Sequence, residues 1–107
     1  MHRLQSTTDF ERVRREGKSH AHPLVVLIAC PNGRADTRCG FAAGKRVGGA
    51  VQRNRARRLL REAVRQRYAQ LTAGWDVIFI ARAPLNKVKL AQAQEAVDTL
   101  LRRAQLL

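Results

Sequence analysis

The sequence predicts an α+β domain, and three observations carry that reading. A continuous apolar run of strand length at 24–30 and a mainly apolar one at 75–82 stand apart from longer stretches with helical periodicity. Glycines and prolines fall between these segments and not within them. The 107 residues show no internal repeat, linker or low-complexity tail, so residues 1–107 are expected to form one domain.

The elements follow in order. "STTDFERVRREG" reads as a first helix: Thr8 followed by Glu11 matches a capping box, Phe10 and Val13 share a face, and Gly17 supplies a stop. "KSHAHP" is a short edge strand ended by Pro23, and "LVVLIAC" is a strand buried on both faces. After the turn at Asn32 and Gly33, "RCGFAAG" is the next strand, with Cys39, Phe41 and Ala43 on one side. These two strands are expected to pair as a hairpin, which would bring Cys30 and Cys39 close. The two thiols form no CxxC pair and read as reduced, partly buried groups. "KRVGGAV" leads into a long helix over about residues 50–71, with no Ser, Thr, Asp or Asn cap and Gly49 as the best available. The strand "WDVIFIAR" follows Gly74 and is broken by Pro84. A last helix over about 86–103 sets Leu90, Ala93, Val97, Leu100 and Leu101 on one side. The order is αβββαβα, with four strands and three helices.

Charge is the informative quantity. Twenty-one Lys and Arg against eight Asp and Glu give a net charge of +13. Self-repulsion at that charge disfavours a compact chain, and a polyanion relieves it with release of counterions. No apolar run approaches a membrane span, and "MHRLQSTTDF" lacks the apolar centre of a signal peptide, which points to the cytoplasm.

The long helix concentrates the charge. Arg53, Arg57, Arg61 and Arg65 follow at steps of four, with Asn54 and Arg58 in the same arc and Arg55 at its border. Ala56, Leu59, Leu60, Ala63 and Val64 occupy the opposite arc, and Arg67 falls on that apolar side near the end. Between Lys45 and Arg67 there are nine basic residues and one acid, Glu62, a local charge of 9 − 1 = +8. A solvated helix face ordinarily mixes signs, because like charges at i,i+4 destabilise it. A face of one sign implies an anionic partner, and arginine suits phosphate because its planar fork binds bidentately. Asn54, a neutral amide among arginines, can serve a base edge, a ribose hydroxyl or a phosphate, or only the first helical turn.

"FAAGKRVGGAVQRNRARRLLREAVR" resembles the signature region of the bacterial ribonuclease P protein family, with its basic RNR helix. "DFERVRREGK", "PLVVLIAC" and "WDVIFIARAP" are similar to the family's first helix, its next long strand and the strand before its last helix. The resemblance implies a mixed four-stranded sheet packed with three helices and an uncommon left-handed βαβ crossover around the basic helix. It implies that an RNA subunit performs the chemistry with magnesium ions, removing the 5′ leader of precursor tRNA. The protein would bind the catalytic RNA and hold the leader in a cleft between helix and sheet. Carried over by position, Lys45, Arg46, Arg53, Asn54, Arg55, Arg57, Arg58 and Arg61 match the RNA-binding region, with Arg65 continuing the same face. Phe10 matches a cleft aromatic of the first helix. Arg14 and Ile28 stand where some members carry further aromatics, which leaves Arg14 to stack or to bind phosphate. Gly49 stands where an Asn cap is common.

Other readings are weaker. No paired carboxylates, Ser/His/Asp set or metal-ligand cluster is evident, so an enzyme acting alone fits poorly and no residue of the chain is expected to be catalytic. His20 and His22 alternate on a strand but lack further metal ligands. Trp75 and Phe41 read as core, and Asp76 carries no catalytic signal. A DNA-binding helix-turn-helix lacks its second helix, and a membrane-surface helix would need the apolar face that the sheet should cover. The main alternative is a ribosomal-type structural RNA-binding protein.

Overall fold

Ser6, and not Thr8, opens the first helix. Its side-chain oxygen accepts the Asp9 N–H at 3.3 Å, and α1 (Thr7–Glu16) closes where the Gly17 N–H returns to the Val13 carbonyl. The computed structural model describes residues 1–107. A two-residue strand, β1 (His2–Arg3), precedes α1, and β2 (Lys18–Ala21), β3 (Val25–Pro31) and β4 (Arg38–Ala43) follow it. A 3-10 turn at Lys45–Val47 leads into α2 (Ala50–Arg65), then β5 (Trp75–Ala81) and α3 (Leu90–Arg103). The sheet therefore has five strands where the sequence suggested four. Two residues are too few for β1 to show an alternating pattern.

The strand order is β1-β4-β5-β3-β2, which overturns the expected β3–β4 hairpin. β5 lies between those strands, antiparallel to β3 and parallel to β4. Residues 32–37 cross the end of β5 instead of making a tight hairpin. Asn32 N–H donates to the Gly74 carbonyl at 2.9 Å, and the Trp75 N–H donates to Thr37 Oγ1 at 3.2 Å. Gly33 and Gly74 take φ of +68° and +91° there, a region that glycine enters without steric penalty. α2 is thus the crossover between the parallel neighbours β4 and β5.

Both flanking helices depart from their expected bounds. α2 stops at Arg65, short of residue 71, because the next side chains are tethered elsewhere. Arg67 donates both arms of its fork to Asp98 on α3 at 2.8 Å, and the Tyr68 hydroxyl donates to the Thr37 carbonyl. From Tyr68 the chain tightens into a 3-10 turn at Tyr68–Gln70. A third 3-10 segment, Ala83–Lys87, takes the place of the first turn expected for the last helix. Pro84 sits in its first turn, and α3 itself starts at Leu90, where Gln92 Oε1 accepts the Lys89 N–H at 2.9 Å.

α2 and α3 cover one face of the sheet and α1 part of the other. Against the first lie Leu27, Phe41 and Phe79, closed by Leu60 and Val64 of α2 and Val97 and Leu100 of α3. Phe41 and Phe79 stack at 5.7 Å between centroids. Trp75 packs against this cluster as well. The α1 side holds a smaller cluster of Leu4, Val13, Cys30 and Ile78. Cys30 and Cys39 therefore lie on opposite faces, on strands separated by β5 and hence about 10 Å apart. No disulfide spans that distance, and burial pushes the Cys39 thiol up to about 12. Folded protein left in air is expected to keep both thiols, its intact mass unchanged by later reduction. A mass lower by two hydrogens in a monomer that still melts natively would contradict this arrangement.

At one end of the α1 face a buried carboxylate ties four segments together. Asp76 of β5 accepts two hydrogen bonds from Arg38 of β4 (2.9 and 2.7 Å), one from Asn32 Nδ2 (2.9 Å) and one from Arg12 of α1. Burial pushes this carboxyl up, but the donors from Arg38, Asn32 and Arg12 outweigh it and hold the group below the usual carboxylate range.

Candidate nucleic-acid interface

α2 separates its two kinds of residue as its periodicity requires. Ala56, Leu60, Ala63 and Val64 are buried, whereas Asn54, Arg55, Arg58 and Arg65 are exposed and Arg53, Arg57 and Arg61 are half-buried along the flank. Six of the eight carboxylates are engaged by other cations. Asp9 and Asp76 serve Arg12 and Arg38, Asp36 serves Arg34, Glu16 lies by Arg15, and Asp98 serves Arg67. Glu62 takes the fork of Arg65 at 2.6 and 3.1 Å, which holds its carboxyl below the ordinary range. None of these acids forms an ion pair with Lys45, Arg46, Arg53, Arg55, Arg57, Arg58 or Arg61.

Two of the free arginines are held in place by neutral acceptors. Arg57 donates to Asn54 Oδ1, so the neutral amide among the arginines orients one of them. Arg55 donates from Nη1 to the Asn86 carbonyl at 2.8 Å. Such anchoring leaves the charge in place and reduces the side-chain entropy lost on binding. The helix start adds to the positive field: Gly49 caps it without a side-chain bond, and no acid stands in the first turn.

Lys45 and Arg46, both exposed, lie where the parallel strands β4 and β5 end. With Arg82, and over a floor of Val47, Ile80 and Pro84, they line a pocket of about 390 Å³. Sequence reasoning missed Arg82. Its only signal was a cation closing an apolar strand one residue after the last buried position.

On the other side of the sheet, Phe10 lies over β4 at Gly40. A Cβ built on Gly40 would sit 2.5 Å from Phe10 Cζ and 3.0 Å from the Leu4 carbonyl, so glycine lets the ring reach the strand. Arg14, one turn on and exposed, shares with Phe10 a shallow pocket also lined by Thr7. Ile28 lies at the far end of α1, beneath Gly17, where a Cβ would come within 2.7 Å of its Cγ2. Phe10 and Arg14 are thus neighbours, while Ile28 joins Phe10 only through the Val13 and Ile78 cluster. Beyond the helix the register aligns Val26, Ile80 and Ala42, all half-exposed, as an apolar strip leading to Lys45 and Arg82.

The sequence pattern of the Ribonuclease P family matches residues 1–105. The chain belongs to the ribonuclease P protein family. The ribonuclease P protein component of Roseiflexus castenholzii is 48% identical over 104 residues, covering 96% of this chain and 85% of that one. That of Dehalococcoides mccartyi (strain ATCC BAA-2266 / KCTC 15142 / 195) is 44% identical over 105 residues, covering 98% and 86%. Among solved structures, the Staphylococcus aureus RNase P protein superimposes with a TM-score of 0.88 at 29% identity, covering 99% of this chain and 97% of that one. The Thermotoga maritima RNase P protein gives 0.85 at 29% identity, covering 96% and 97%. As a ribonuclease P protein the chain is a subunit of the enzyme that processes tRNA 5′ ends, and its partner is the ribonuclease P RNA. No helix is long and apolar enough to cross a membrane.

Proposed function

We propose that the arginine face of α2, with Lys45 and Arg46, binds the catalytic RNA, and that the strip beside α1 holds the 5′ leader of precursor tRNA. The observation that carries this reading is the cationic run from Lys45 to Arg61, which no carboxylate of the chain neutralises. Arg65 stands at its edge, already shared with Glu62. The leader would pass over Phe10, with Arg14 and Arg82 meeting its phosphates and Ile28 and Ile80 forming the apolar floor. The two RNAs repel each other, and a small protein of charge +13 between them lowers that repulsion.

Magnesium ions at the RNA would activate the attacking water and stabilise the leaving oxygen. In this chain no three His, Cys, Asp or Glu side chains converge, so the metal ligands in this reading are RNA groups. Divalent ions also screen the repulsion, less specifically than the protein does. Cleavage of a precursor tRNA by a bacterial ribonuclease P RNA is therefore expected to rise about tenfold or more with this protein at low magnesium, and to converge with the RNA-alone rate as magnesium rises. Firm RNA binding without stimulation of any of several RNA subunits would favour the ribosomal-type reading instead.

A further inference from the structure

The flank of α2 turned toward α3 carries a feature that the arginine face does not account for. Leu59 lies about 200° around the helix from Arg57, away from the Arg53–Arg57–Arg61 row. With Leu90 at the start of α3 it floors a shallow groove of about 270 Å³, rimmed by Arg55, Arg58 and Glu62. Both leucines remain partly exposed although they touch the core. Arg55 is anchored through one nitrogen to the Asn86 carbonyl, and the rest of its guanidinium is exposed. Arg58 is exposed and has no carboxylate partner, and the one acid at the rim, Glu62, is engaged by Arg65. An apolar floor between two available cations suits a planar base carried on a phosphate.

We propose that this groove is a second RNA contact that takes a single unpaired nucleotide of the ribonuclease P RNA. Its base lies on Leu59 and Leu90, and its phosphate meets Arg55 and Arg58. The nucleotide is unpaired because a stacked duplex offers no base face to a floor of this kind. The inference rests on the reading that α2 faces the catalytic RNA, and it extends that face through Arg55 and Arg58 onto an apolar floor with a different physical signature. An apolar contact releases no counterions, so losing it weakens binding without changing the salt dependence.

The test compares binding of the whole protein and its Leu90→Ala variant to a bacterial ribonuclease P RNA across a salt series. Leu90→Ala is expected to lower affinity about tenfold with the slope of log K against log salt unchanged. In parallel, a photo-crosslinking benzoylphenylalanine at the exposed Ala91 is expected to mark one unpaired nucleotide, read as a reverse-transcription stop. Affinity within about twofold of the parent, a reduced salt slope, or crosslinks confined to paired nucleotides or absent from the RNA would each overturn the proposal. If Leu90→Ala does not fold, the crosslink decides alone. Failure of the unsubstituted protein to bind RNA would instead refute the parent reading, and the same salt series reports it.

Discussion

Arg53→Ala combined with Arg57→Ala is expected to lower affinity for ribonuclease P RNA and to reduce the salt slope by about 1.5, while the fold stays intact. The slope follows from two phosphates that are no longer neutralised, at about 0.7 to 0.9 each, and by itself makes the affinity deficit vary about eightfold between 50 and 200 mM salt. Neither residue has a carboxylate partner whose loss would unfold the chain. Arg53 and Arg57 stand four apart, as do Arg57 and Arg61, so the double variant removes like-charge neighbours and introduces the best helix former. Stability and affinity should therefore move independently, with the melting temperature equal to or slightly above that of the parent. Salt titrations by filter binding beside thermal melts would show it. An unchanged slope would remove these two arginines from the RNA surface.

Asp76→Ala is expected to cost about 3 kcal/mol of stability and to lower the melting temperature by about 15 °C in a domain of this size. The substitution strips Arg12, Arg38 and Asn32 of a shared acceptor and leaves two guanidinium groups beside apolar surface. The figure sits at the lower end for a broken buried pair because Arg12 and Arg38 keep 27% and 22% of their side-chain surface open to water. The acid sensitivity has a definite sign. The folded state holds Asp76 below its ordinary value of 3.8, so its stabilising contribution is complete above that value and fades as pH falls through the lower folded one. Asp76→Asn should lose part of this acid dependence while remaining less stable than the parent at neutral pH. Urea melts at several pH values would resolve both effects, and an Asp76→Ala melt within a degree or two of the parent would refute the account.

The helices and the long strands were legible because their signals are local. Ala56, Leu60, Ala63 and Val64 recur at helical spacing opposite the arginines, and 24–30 and 77–81 are apolar without interruption. Strand order was not legible. β3 and β4 are consecutive and separated by a turn-like segment, and nothing in their composition records that β5 enters between them. The capping error has the same origin. Ser6 and Thr8 both carry hydroxyls, and the choice follows from the chain's entry, where the buried Leu4 donates its N–H to the Cys39 carbonyl. Tethers from Arg67 and Tyr68 ended α2 early, again through partners about 31 residues away in sequence. For the interface, the run from Arg53 to Arg61 was visible as charge pattern. Arg82, the apolar strip at Ile80 and the Leu59–Leu90 groove required the folded neighbours. Asp76 gave one cue that local reading undervalued, a carboxylate at the head of an otherwise apolar strand. His22 proved local in function: its Nδ1 accepts the Leu24 N–H at 3.1 Å.

The central place of β5 orders the chain in time as well as in space. Before residues 75–81 leave the ribosome, the sheet can exist only as two separate pairs, β1 with β4 and β2 with β3, with no ladder between them. The arginine-rich helix is synthesised ahead of that strand, so it emerges before the completed surface that will cover its apolar side. Most of the sheet's pairing is non-local, which is the kind of topology that folds slowly. A nascent chain halted before Trp75 would therefore present a cationic, half-shielded helix, and β5 is the segment whose arrival joins the two strand pairs into one sheet, on which α3 then closes the core.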